Sequence, residues 1–285
     1  MTITMLAGAL DRFAAAVVPL TDDRLDLPWV WRDYDSDGVR FAFFRILEEL
    51  RQLEARLESK SRTAAHPTTA AILLRPYHDA YRALHARLLG IEGEAFEAIP
   101  AEGEWPLRKV IAHAVDADVG FYAVVSETLR VVRAGEEPPR KLSDDVWDGM
   151  VGMPIADFDH MLEHDVQGML AFHHRHHARI LDEFSTITEE ELESPSYYWE
   201  KTPYSLRFRL GRFESHLRQH TIQLAKTRAL IGVPQTESQR LLGLLNSALA
   251  GVEDLQRDFG VEAAVSKALA EVIDSYTAGV RAALD

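Results

Sequence analysis

Three histidines on two stretches of helical pattern carry chemistry most plainly: His113, after Val110-Ile111-Ala112, and the pair His216 and His220, with Leu217-Arg218-Gln219 between them. Imidazole is the commonest side-chain ligand for zinc, nickel and iron, and two residues four apart on a helix project from one face toward one point. A third imidazole from a facing helix makes a three-histidine metal site. Three neutral ligands leave an ion its full charge and open positions, so a bound water or thiol becomes markedly more acidic.

The pattern has competitors. A buried histidine bonded to a carboxylate or carbonyl explains any one of the three, although three inward rings demand that every ring nitrogen be satisfied. His160/His164 and His173/His177 repeat the four-residue spacing. The run His173-His174-Arg175-His176-His177 points around most of a helix and reads as an exposed cluster. His66, His78 and His85 are single and read as surface or satisfied residues.

Other chemistries are excluded by what is missing. Leu217 stands where a zincin protease of the HExxH type has its glutamate, so the built-in general base is absent. The glycines are scattered, with no phosphate loop, GxSxG elbow or dinucleotide fingerprint. Cysteine is absent, which removes disulfides, thiolate ligands and cysteine nucleophiles and leaves imidazole and carboxylate as the strong ligands. A reactive thiol therefore has to arrive with a substrate, and no nucleophile is expected from the protein. The 31 basic and 45 acidic residues give a net charge of -14, which argues against a nucleic-acid partner.

The elements that must position these residues are helices. Apolar residues recur at three and four nearly everywhere, which predicts an all-α protein with helices near 4–18, 38–60, 68–91, 106–134, 157–184, 203–231, 236–257 and 262–284. Pro106 and Pro203 are expected at the first helical position, with Thr202 as an N-cap. Val110, His113, Ala117, Phe121, Val124 and Thr128 form one stripe, and Phe213, His216, His220, Gln223 and Thr227 another, so both inward faces carry imidazole. Residues 21–36 lack periodicity, and their tryptophans are expected to plug a groove; 60–67 reads as a linker.

The expected organisation is an amino-terminal helical extension over 1–67, the main bundle over 68–234 and a carboxy-terminal extension over 235–285 packed on that bundle. The amphipathic helices at 38–60 and 236–284 suit assembly, with a homodimer the commonest arrangement. The first residues fit an amphipathic helix rather than a signal peptide, and no uncharged apolar run reaches membrane-spanning length. A cytoplasmic location with no membrane partner is the expectation.

Two motifs carry a resemblance. Glu104 to Asp118 (EWPLRKVIAHAVDAD), followed far downstream by Phe213 to Gln223 (FESHLRQHTIQ), resembles the DinB-like superfamily, from about residue 68 to 232. The resemblance implies a four-helix bundle with a long crossover, here with terminal helical extensions, binding one divalent metal through His113, His216 and His220. Zinc is the default ion; nickel and iron fit the same ligands. The superfamily includes transferases that use low-molecular-weight thiols, which implies a cosubstrate thiol attacking a small electrophile. Asp116 and Glu214 are placed to orient the imidazoles, and His160 or His164 to line the substrate pocket. Two rival readings stand beside this one: an ion that merely braces the bundle, closed by a fourth ligand such as Asp116 or His160, and metal-assisted hydrolysis.

Overall fold

A computed structural model describes residues 2–61, 66–260 and 263–285. Its described residues form eleven α-helices and one two-stranded hairpin. They are α1 Thr2–Val17, α2 Arg40–Ser61, α3 Thr69–Ala86, α4 Leu107–Arg133, α5 Asp144–Val151, α6 Ile155–His164, α7 Val166–Phe184, α8 Glu189–Leu192, α9 Leu206–Leu230, α10 Glu237–Phe259 and α11 Ala263–Leu284; β1 Pro195–Ser196 and β2 Tyr204–Ser205 make the hairpin. The linker expected over 60–67 has its centre, 62–65, outside the described residues.

The helices fall into two compact units. One comprises 1–66, 82–92 and 232–285, the other 67–81 and 93–231. In the first, α1 packs on α11 and α10, and α2 on α10 and α11, so the two ends of the chain build one bundle. Its core includes Phe13 edge-on to Phe43 at 4.9 Å, and Arg12 forks onto Asp274 with two bonds of 2.8 Å. The stretch 21–36 holds a 3-10 turn, Asp22–Asp26, and a lone bridge between Trp31 and Tyr34. Trp29 is buried edge-on to Tyr276, while Trp31 is only half-buried, under the Arg45 guanidinium.

The second unit is a four-helix bundle of the first part of α3 with α4, α7 and α9. Tyr77 of α3 meets Phe213 of α9, His78 of α3 meets His177 of α7, and Phe121 of α4 meets Phe213. The connection from α4 to α7 carries α5 and α6, and that from α7 to α9 carries α8 and the hairpin.

Three local expectations change. The helix read over 157–184 is two helices, because Asp165 leaves helical geometry at φ -126° and ψ 85° and caps α7 by accepting the Gly168 N–H at 2.8 Å. Pro106 is the N-cap of α4 rather than its first residue. Pro203 and Thr202 lie outside α9: the hairpin extends the chain to Ser205, whose hydroxyl accepts the Phe208 N–H at 3.3 Å. The short α5, capped by Ser143 and ended by Gly152 at φ 76°, was hidden in the long crossover.

Candidate metal centre

Helix α4 presents His113 half-buried near its amino end, and α9 presents His216 and His220, both buried, on one face. The ligand-capable atoms of the three all lie within 4.8 Å of one another, and among the described residues no other group of this kind forms. The His113 ring stands edge-on to His216 at 5.1 Å and to His220 at 4.9 Å, with Trp105 against its far side at 5.3 Å and Phe121 closing on His216 at 5.6 Å.

Protonation favours ligation. His220 Nδ1 lies 2.9 Å from Gln223 Oε1, an acceptor, so the Nδ1–H donates there and the bare Nε2 faces inward. That Nε2 is 3.0 Å from His216 Nε2, while His216 Nδ1 is buried with no hydrogen-bond partner among the described residues. A proton on His216 Nε2 bridges the pair but strands its other nitrogen; a cation accepting both bare Nε2 lone pairs uses them directly. Burial, then the charges of His220, His113 and Arg212, push His216 down to about 3; burial also lowers His220, against the pull of Gln223. Both rings are therefore held neutral at ordinary pH, the form that binds a metal.

Behind the cluster lies a buried network that sequence reading missed. Asp118, 0% exposed, accepts from Tyr77 Oη at 2.9 Å and from His173 Nε2 at 3.2 Å on one oxygen. Its other oxygen has no partner among the described residues. Burial raises its carboxyl pKa, opposed by His173, Tyr77 and the charge of His220. The histidine run on α7 is not an exposed cluster: His173, His176 and His177 are buried, and only His174 is exposed. His78, read as single, is buried with its Nδ1 3.1 Å from His177 Nε2.

The residues expected around the cluster are dispersed. Asp116 is exposed on α4, its pKa raised by crowding from the protein and by Asp159 and lowered by the charge of His113. Glu214 faces Arg218 at 3.4 Å, which in turn reaches Asp79. His160 and His164 sit exposed on α6 with their rings 4.8 Å apart, and neither joins the three-histidine group.

The family model of the DinB superfamily matches residues 77–224, just over half the chain, and spans all three histidines. The chain belongs to the DinB superfamily. Among curated proteins none matches it, and among solved structures none does. The DinB superfamily is generally metal-binding, and the cluster of His113, His216 and His220 fits that property; the fold is the all-α DinB-like bundle. Among the described residues of this DinB member no helix is long and apolar enough to cross a membrane.

The buried rings make metal-free protein acid-sensitive. Burial holds His176 down at about 4, whereas in the unfolded chain a histidine titrates near 6.5. Between those values the unfolded chain binds a proton that the folded one refuses, so stability is present above pH 6.5 and is lost as pH falls toward 4. The difference is of order 3 kcal/mol for His176. Chemical denaturation of the His176→Leu variant across this window is expected to lose up to one proton's worth of slope; an unchanged slope would overturn the assignment.

Proposed function

We propose that His113, His216 and His220 hold one divalent ion, zinc in the first instance, and that the protein is a metal-dependent transferase acting with a low-molecular-weight thiol on a small electrophile. An ion so held would acidify the thiol and present it as a nucleophile. The residues of the chain do the rest: two buried rings held neutral, Gln223 fixing the tautomer of His220, and Trp105 and Phe121 shielding the flanks from water.

The observation that carries the reading is the openness of the cluster. His113 is only half-buried, and Asp116 and His160, the residues able to close a fourth position, stay exposed outside the group. A structural site is closed by a fourth protein ligand, a catalytic one keeps a position free. This favours catalysis over a metal brace.

Zinc-loaded protein is to be incubated with a thiol panel and an activated halide electrophile. Thioether formation that needs both metal and thiol is the expected result. Turnover of the electrophile without thiol would move the assignment to hydrolysis, and no turnover with any thiol would sink the transferase.

A further inference from the structure

Four aromatic rings converge beside the histidine cluster, where neither the family match nor the three ligands require them. Tyr197, Tyr198 and Trp199 come from the loop between β1 and β2, and Trp147 from α5; with Lys141 and Asp144 they line a cavity of about 450 Å³. That volume is in the range of small-molecule sites. Trp199 is 60% exposed, an unusual position for the largest apolar side chain.

The wall is built rather than incidental. The Arg209 guanidinium, 0% exposed, forks onto Glu200 at 2.7 and 2.8 Å and donates to Ser196 Oγ at 3.0 Å, pinning the loop on both sides of its aromatic residues. On α4, Gly120 occupies a helix interior, where glycine is unfavourable relative to alanine. A Cβ there would collide with Tyr198 Oη and lie 3.3 Å from the Trp147 ring, so the missing side chain admits both rings to the helix surface. The next residue, Phe121, has its ring 6.0 Å from both Tyr198 and Trp199 and 5.6 Å from His216. One ring separates the cavity wall from the candidate metal centre.

Charges of both signs stand around the cavity: Asp116 and Glu200 raise the Tyr198 hydroxyl pKa after burial does, and Glu200 is taken up by Arg209. Lys141 has no ion-pair or hydrogen-bond partner among the described residues, Arg140 lies over the Tyr197 ring at 5.4 Å and Arg212 over Phe121 at 5.9 Å. Asp144, the one acid in the lining, sits in the first turn of α5, where the helix dipole already favours a negative charge. We propose that this cavity binds a planar aromatic molecule carrying one anionic group, its ring against Trp147, Tyr198 and Trp199 and its anion on Lys141. As the electrophilic substrate of the proposed transferase, the occupant rests on that reading; its binding does not.

Calorimetric titration of the full-length protein with 2-naphthoate, 2-naphthol and cyclohexanecarboxylate tests the site. 2-Naphthoate is expected to bind at least about tenfold tighter than cyclohexanecarboxylate, and about tenfold more weakly after Trp199→Ala, a change at an exposed position that leaves the fold intact. Lys141→Gln should weaken 2-naphthoate about fivefold, leave 2-naphthol unchanged, and be rescued by Lys141→Arg. No binding of 2-naphthoate at millimolar concentration, equal binding of cyclohexanecarboxylate, or affinities untouched by both substitutions would overturn the proposal. Wild-type, zinc-loaded protein that binds 2-naphthoate with the aromatic and lysine dependence above but transfers no thiol would remove the role and keep the site.

Discussion

Replacing His216 with alanine is expected to reduce bound metal from near one ion per chain to under about a tenth after extensive dialysis, as read by mass spectrometry on protein purified without a histidine tag. Losing a group that merely orients a ligand weakens metal binding by about 10- to 100-fold, and removing a ligand from a set of three costs more than that. The metal-free fold should survive, because the substitution also deletes a buried ring nitrogen with no partner among the described residues. Gln223→Ala should fall in the intermediate range, since it frees the Nδ1–H of His220 without removing a ring. His160→Ala and His164→Ala, both at exposed positions outside the cluster, should retain full metal content. Equal metal content in wild type and His216→Ala would place the ion elsewhere.

Phe213→Ala is expected to lower stability by about 3–5 kcal/mol, seen as a shifted midpoint in chemical denaturation followed by circular dichroism. Phe213 is fully buried, and its ring centroid lies 5.1 Å from Tyr77, 5.4 Å from Phe121 and 6.2 Å from Phe184, so its removal opens a cavity shared by the four bundle helices α3, α4, α7 and α9. It also stands one turn before His216, and the same variant should bind metal more weakly. Phe208→Ala, on the same helix but 40% exposed, should cost under about 0.5 kcal/mol. A loss under 1 kcal/mol for Phe213→Ala would contradict the packing described here.

How far the sequence was legible follows from which interactions are local. His216 and His220 belong to one helix face and His113 to the apolar stripe of another, so helical period turns all three inward, while the pairing of the two helices was legible only through the family resemblance. Helices long enough to show many turns, such as α4 and α10, were read within two or three residues of their ends. Asp165 was harder: a single cap residue inside a periodic stretch breaks the helix without disturbing the apolar pattern on either side. The role of Asp118 was invisible because its partners, Tyr77 and His173, are 41 and 55 residues away in sequence. His173, His176 and His177 were misread because a face count treats solvent as the default for imidazole, whereas a wide inward face, flanked by Phe172 and Ile180, buries three of them. Gln223 was within reach, since a residue three beyond a histidine on a helix is its natural partner. The packing of α1 with α11 across nearly the whole chain length has no local signature at all.

The most direct test of the account is the X-ray absorption spectrum at the zinc edge of zinc-loaded protein, before and after addition of a low-molecular-weight thiol. The account predicts three imidazole nitrogens at about 2.0–2.1 Å with light scatterers completing the sphere, and a sulfur scatterer at about 2.3 Å once thiol is added. A coordination sphere with fewer than three imidazoles, or one that excludes sulfur at saturating thiol, would contradict it.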